Sequence, residues 1–194
     1  MRKGDATRVR ILDEATRQVA QRGLIAASLG DLAEAVGLSK SGLFKHFESK
    51  EAMQLAVIER AQEQFTEYVW RPVQDLPHGR PRLQAIFDRW LDWTETECAA
   101  HGCPIMALSV ELDDQPGPLR DALQRGMERW RRTLMREFQA MRQPPMAEAE
   151  AAAAYFQMKS YLLGHSEAKR LMGDPDARRS ARAAFHALLD RSEG

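Results

Sequence analysis

The chain is poor in cysteine, with two residues in 194, Cys98 and Cys103. A disulfide framework is thereby excluded, and so small a thiol content suits a reducing compartment. No run of about 18 or more apolar residues is present, the length a membrane-crossing helix requires. The basic start MRKGDATRVR leads into no apolar signal core. These absences exclude membrane partners and predict a cytoplasmic protein. Enzyme signatures are missing as well: there is no glycine-rich phosphate loop, no Gly-x-Ser-x-Gly elbow and no His-Glu-x-x-His helix. The acidic pair Asp113-Asp114 stands in a Pro/Gly-rich stretch and reads as turn chemistry. The segment Cys98-Ala-Ala-His101-Gly-Cys103 matches no common zinc spacing and has no fourth ligand nearby. No catalytic residue, metal or cofactor is therefore assigned.

Charge of one sign is lacking too, since 28 Lys and Arg balance 28 Asp and Glu. The distribution is less even. Residues 1–55 hold nine basic against seven acidic residues, a net of +2, which leaves −2 for the remainder. Such a mild bias gains meaning only if the basic residues fall on a nucleic-acid-binding motif.

What is present is helix. No segment alternates strictly between polar and apolar residues, as a half-buried strand does, and nearly every segment has helical periodicity. A first helix is predicted over residues 5–21, with Val9, Leu12, Ala15 and Val19 on one face and Gly23 as its stop. Ser28 caps a second helix, whose Leu29, Leu32, Ala33 and Val36 form a single buried stripe. Gly37-Leu38-Ser39 turns the chain into a third helix over residues 40–47. Ser49 caps a fourth, in which Leu55, Ile58, Phe65 and Val69 share a face interrupted by Gln62. Beyond a Pro-containing break at 72–81 comes a fifth helix carrying Leu83, Ile86, Trp90 and Trp93, and further helices are predicted over about 105–112, 119–142, 146–172 and 175–191. The count is nine, and the fold class is all-α.

Residues 28–53, SLGDLAEAVGLSKSGLFKHFESKEAM, carry the chemistry. Two short helices joined by a tight Gly-containing turn form a helix-turn-helix. A helix about 10–12 Å across fits the major groove of B-DNA, roughly 12 Å wide. The first helix of such a pair braces the second, which presents its N-terminal residues to base edges. Here Leu43 and Phe47 are placed inward, while Lys40, Ser41, Phe44 and Lys45 are placed outward. Small Ser41 and Gly42 permit close approach of the backbone to the duplex. Lys50, at a helix start, opposes the helix dipole unless an anion such as a phosphate neutralises it. Arg2, Lys3, Arg8 and Arg10 form either an arm toward the duplex or a frayed basic terminus.

Ser28, Val36-Gly37-Leu38-Ser39, Leu43-Phe44-Lys45-His46-Phe47 and Ser49-Lys50-Glu51, in this order and spacing, resemble the DNA-binding motif of the TetR family of transcriptional regulators. The nine-helix layout is similar to that family along the whole chain. The resemblance implies a helix-turn-helix domain at residues 1–52 and a ligand-sensing and dimerisation domain at 53–194. It further implies a homodimeric repressor that binds double-stranded operator DNA and is released by a small-molecule effector. Residues equivalent to Ser28, Phe44 and Lys50 would contact phosphates. Those equivalent to Lys40, Ser41, Lys45 and His46 would face the groove, and Ser39, as the helix cap, and Gly42, as the point of close approach, are counted with them as DNA-binding residues. Most members carry tyrosine where this chain has Phe44, so a phosphate-binding hydroxyl is missing. Phe44 then either meets a thymine methyl or packs.

The C-terminal helices supply the other expectations. Tyr155, Met158, Leu162 and His165, with Phe185 and Leu188, give long apolar faces and are assigned to the dimer interface, which in the family is a four-helix bundle; the alternative is burial entirely within one subunit. Trp90, Trp93, Met106, Trp130 and Phe138 are assigned either to a pocket for a hydrophobic ligand or to plain core. Cys98 and Cys103 are either redox or electrophile sensors or structural thiols.

Overall fold

A computed structural model describes residues 3–98 and 100–193, and helix is the regular structure among them. Among the described residues nine α-helices follow in order: α1 (Lys3–Arg22), α2 (Leu29–Ala35), α3 (Lys40–Phe44), α4 (Lys50–Phe65), α5 (Arg80–Glu95), α6 (Pro104–Glu111), α7 (Pro118–Gln139), α8 (Glu148–Arg170) and α9 (Ala177–Glu193). A π-turn at Thr66–Trp70 and a 3-10 turn at Arg71–Val73 lie between α4 and α5. No helix among the described residues is long and apolar enough to cross a membrane.

The chain forms two compact units. The first comprises Met1–Phe65 and Ala100–Gly126; the second comprises Thr66–Ala99 and Met127–Gly194. In the first unit Ile11, Leu12, Ala15 and Val19 of α1 are buried, together with Leu32 and Ala33 of α2, Leu43 of α3 and Met53, Val57 and Ile58 of α4. Val9, expected on this face, is exposed, and Ile11 is buried instead. At 3.6 residues per turn, positions 11, 15 and 19 run down the centre of the stripe and position 9 falls at its edge.

Two helix ends differ from the periodicity. Helix α3 stops at Phe44 rather than at 47, because the amides of Lys45 and His46 donate to the carbonyls of Gly42 and Leu43. These tighter bonds wind the last turn up early. Helix α4 gives way at Phe65 to the π-turn, although the apolar stepping continues through Val69.

In the second unit Leu83, Ile86 and Leu91 of α5, Leu134 and Phe138 of α7, Met158 and Leu162 of α8, and Leu188 of α9 are all buried. Phe87 and Phe185 stack at 4.0 Å between ring centroids with 12° between planes. Each such ring, once buried, contributes about 1.5–3 kcal/mol. The break before α5 is not loose. Glu137 accepts hydrogen bonds from the Gly79 amide at 3.1 Å and from the Arg82 guanidinium at 2.9 Å, an ion pair sealed from solvent. Removing either partner would strand a buried charge.

Candidate nucleic-acid interface

Hydroxyl caps fix the helix-turn-helix. Ser28 Oγ accepts from the amides of Gly30 and Asp31 at 3.1 and 3.4 Å, so α2 starts on a side-chain cap. Ser39 Oγ accepts from the Gly42 amide at 3.0 Å and thereby starts α3. Ser49 Oγ does the same for α4 through the Ala52 amide, also at 3.0 Å. Caps of this kind are each worth about 0.5–2 kcal/mol. The turn between α2 and α3 is closed by Gly37, whose φ of +68° costs a residue without Cβ nothing. The Leu38 amide then returns to the Ala33 carbonyl at 2.8 Å.

The result is a short helix with one dry and one bare face. Leu43 and, just past the helix end, Phe47 are buried. Lys40, Ser41 and Lys45 are exposed, Phe44 is 40% exposed and His46 is half-buried. Ser41 Oγ lies 3.0 Å from Ser39 Oγ. The Lys40 side chain runs back across α2, where its Cε is 3.2 Å from the place a Cβ on Gly30 would take. Lys50 is exposed at the first position of α4, directly after the Ser49 cap. Helix α1 supports this head from behind. Arg10 donates to the Val36 carbonyl at 2.9 Å, and the Arg8 guanidinium stands 5.1 Å from the Phe47 ring centroid. Two of the four basic residues considered for an N-terminal arm are therefore engaged within the unit. Lys3 lies in α1, and Arg2 is outside the described residues.

The other assigned residues are distributed as follows. Trp90 and Trp130 meet at 5.9 Å, and Trp130 also meets Trp70 edge-on at 6.0 Å. Trp93 is buried and packs at 5.6 Å against Tyr68. Trp70 and Tyr68, which periodicity did not single out, thus complete the aromatic cluster. Phe138 is fully buried in the same unit, whereas Met106 stands half-buried on α6 in the other. Cys98 is buried and its carbonyl accepts from Arg170 at 2.7 Å; Cys103 is half-buried at the N-cap of α6.

Most of the residues assigned to the dimer interface are covered within a single protomer. Met158, Leu162, His165, Phe185 and Leu188 are buried within the protomer, and Tyr155 is half-buried. His165 has polar partners there, with Nε2 3.0 Å from Glu95 and Nδ1 3.4 Å from the Thr94 hydroxyl. The outward side of α8 is a different stripe: Phe156, 71% exposed, and Leu163, 43% exposed, flanked by exposed Ser160 and Gly164.

An all-helical protein with a capped helix-turn-helix belongs to the class that reads double-stranded DNA with a helix in the major groove. Comparison with known proteins narrows the class. Residues 11–57 match the family described as "Bacterial regulatory proteins, tetR family", and residues 79–185 match "Tetracyclin repressor-like, C-terminal domain". The chain belongs to the TetR family of DNA-binding transcriptional regulators. Among curated relatives, it is similar to the HTH-type transcriptional activator FasR of Mycolicibacterium smegmatis, with 31% identity over 47% of this chain and 42% of that protein. It is also similar to the HTH-type transcriptional repressor NemR of Escherichia coli, with 27% identity over 62% of this chain and 61% of that one. The matches thus span about two fifths and three fifths of those relatives' lengths. A solved TetR transcriptional regulator from Chloroflexus aurantiacus superposes with a TM-score of 0.80 and 26% identity, over 98% of this chain and 96% of that one.

Proposed function

We propose that this chain acts in the cytoplasm as a homodimeric repressor that leaves its operator when a mostly apolar small molecule binds. The observation that carries the DNA half is the bare row formed by Ser41 and Phe44 of α3 and Lys45 at its C-terminal end, together with exposed Lys50 at the start of α4. Lys45 reads a base edge. Lys50, Ser28 and the α4 N-terminus hold phosphates, where an anion relieves the unfavourable meeting of lysine and helix dipole.

A dimer is proposed because one helix-turn-helix buries too little surface for useful specificity. The proposed contact is the outward stripe of α8, with Phe156 and Leu163 at its centre, joined by exposed Ala183 and Ala187 of α9. Two large apolar side chains on a face whose small neighbours Ser160 and Gly164 allow close approach suit a two-fold helix pairing. The effector site is proposed at the aromatic cluster of Trp90, Trp93 and Trp130, lined further by Trp70 and Tyr68. Such a ligand acts only through its preference for one conformation over the other. NemR, named a repressor, supports that sign, while FasR is named an activator.

A second reading has one observation in its favour. Cys103 is the half-exposed thiol, set at the N-cap of α6, so oxidation or alkylation there would alter the start of that helix. Trp130→Ala and Cys103→Ser separate the two. Loss of effector response in the tryptophan variant with operator affinity kept supports a pocket; loss in the cysteine variant alone replaces it with thiol sensing.

A further inference from the structure

Helix α6 ends on a carboxylate in an unfavourable place. Glu111 is its last residue, at the negative end of the helix dipole, where an acid is disfavoured. Each of its two oxygens nevertheless accepts a backbone hydrogen bond. Oε2 accepts from the Leu24 amide at 2.5 Å and Oε1 from the Ile25 amide at 2.7 Å. Those amides lie just past the end of α1, in the turn that leads to the Ser28 cap of α2. Backbone donors in such a position need an acceptor from elsewhere in the fold. Consecutive amides aimed at one anion form a small nest.

The local sequence makes room for this contact. Gly23 has φ +83°, and a Cβ there would lie 3.0 Å from both carboxylate oxygens and 3.1 Å from the carboxyl carbon. The other end of the same segment is tied to α1 as well, with His101 Nδ1 2.6 Å from Gln21 Nε2. Both contacts lie inside the first unit.

We propose that Glu111 is a positioning residue for operator binding: its carboxylate clamps the turn from α1 to α2, sets where Ser28 starts α2, and so fixes the angle at which α3 is presented. The clamp makes α6 part of the reading head. A movement of α6 that withdraws Glu111 releases two amides at once and frees the turn. This role rests on operator binding by the chain and on neither the dimer contact nor the identity of an effector.

The test compares wild type, Glu111→Gln, Gly23→Ala and the double variant. The probes are a duplex selected from random DNA by the wild-type protein and an unselected duplex of equal length. Glutamine keeps the shape of the side chain but offers one acceptor oxygen and turns an NH2 donor toward the second amide. Alanine at 23 crowds the same carboxylate and also strains the backbone at its positive φ. The expected result for each single variant is at least tenfold weaker binding to the selected duplex, with the unselected one bound within twofold of wild type. Amide exchange should speed at least tenfold at Leu24 and Ile25 while Leu12 and Leu43 stay protected. The double variant should lose little beyond the larger single loss, because both changes break one clamp. Faster exchange at Leu24 and Ile25 with selected-duplex affinity unchanged would overturn the proposal, as would equal losses on both duplexes or losses that multiply in the double variant. Failure of the wild type to select any duplex would instead remove the operator reading itself.

Discussion

The side chain of Gln62 on α4 occupies the space that a Cβ on Gly126 of α7 would need: its Cδ, Nε2 and Oε1 each lie 2.3 Å from that position. Gln62 Nε2 donates to the Leu123 carbonyl at 3.4 Å, one turn earlier on the same helix. The polar residue that interrupts the apolar stripe of α4 thus has a partner, and the glycine in mid-helix has a reason.

Gly126→Ala follows directly. Helix propensity alone would favour alanine by about 1 kcal/mol. The atoms in the way are the terminal carboxamide of a flexible side chain, which must swing aside and give up its bond to the Leu123 carbonyl, so the expected outcome is a net loss of no more than about 1 kcal/mol. Thermal unfolding measures it. Gln62→Ala in the same chain should recover most of the loss, and a recovery of nothing would mean that α7 strain has another source.

The buried faces of α8 and α9 and their exposed stripe should respond differently to substitution. Met158→Ala, at a fully buried site, is expected to cost about 2–5 kcal/mol of stability through the cavity it leaves. Phe156→Glu, on the exposed stripe, should leave the fold intact and turn a dimer into a monomer by sedimentation at micromolar concentration. Dimers that persist in both Phe156→Glu and Leu163→Glu would place the contact elsewhere.

Acid sensitivity should centre on Glu95. Burial raises its pKa, but hydrogen bonds from Arg178 and His165 outweigh that and hold it below the usual carboxylate value. A carboxylate with a depressed folded-state pKa contributes stability that is complete above the unfolded pKa and is lost as pH falls through the folded one. Unfolding free energy should therefore drop as pH falls below 4.5, the ordinary value for glutamate. In Glu95→Gln, urea titrations across pH 3–6 should show a flatter acid limb and lower stability at neutral pH; an unchanged limb would contradict this assignment.

Much of this architecture could be read from residues, for local reasons. Ser28 and Ser39 announce helix starts because their hydroxyls satisfy amides two or three residues on, and Gly37 announces a turn through its positive φ. Where information is tertiary, periodicity misleads. Phe65 and Val69 step correctly for a continuing helix, so nothing local signals the π-turn between them. The outward stripe of α8 is broken by Ser160 and Gly164, so its more continuous inner face, with Met158 and Leu162, stands out in the sequence, and that face is buried within the protomer. An amphipathic pattern reports that a face is covered, without saying by which chain. The Glu111 clamp joins residues 86 and 87 positions apart and leaves no periodic trace.

Lysines at two positions should separate reading from gripping. Lys50→Ala is expected to weaken binding to every duplex alike and to reduce the salt slope by about one phosphate contact. Lys45→Ala should also relax preference at one base position, at a cost of about 1–3 kcal/mol on the best site. Phe44→Tyr should tighten binding to all sequences if the ring lies beside a phosphate, since it restores a hydroxyl donor; competition assays at fixed salt decide this.

The most direct test of the account is selection of DNA by the purified chain from a random duplex pool, repeated with the Lys45→Ala, Lys50→Ala double variant. A symmetric dimer that reads DNA through α3 requires the wild type to enrich an inverted repeat whose half-sites are about one helical turn apart or a multiple of it, bound by two protomers, and the double variant to enrich it more weakly, with preference lost at one base position in each half-site. Enrichment of an asymmetric site, or the same enriched sequence from both proteins, would contradict a symmetric dimer that reads DNA through α3.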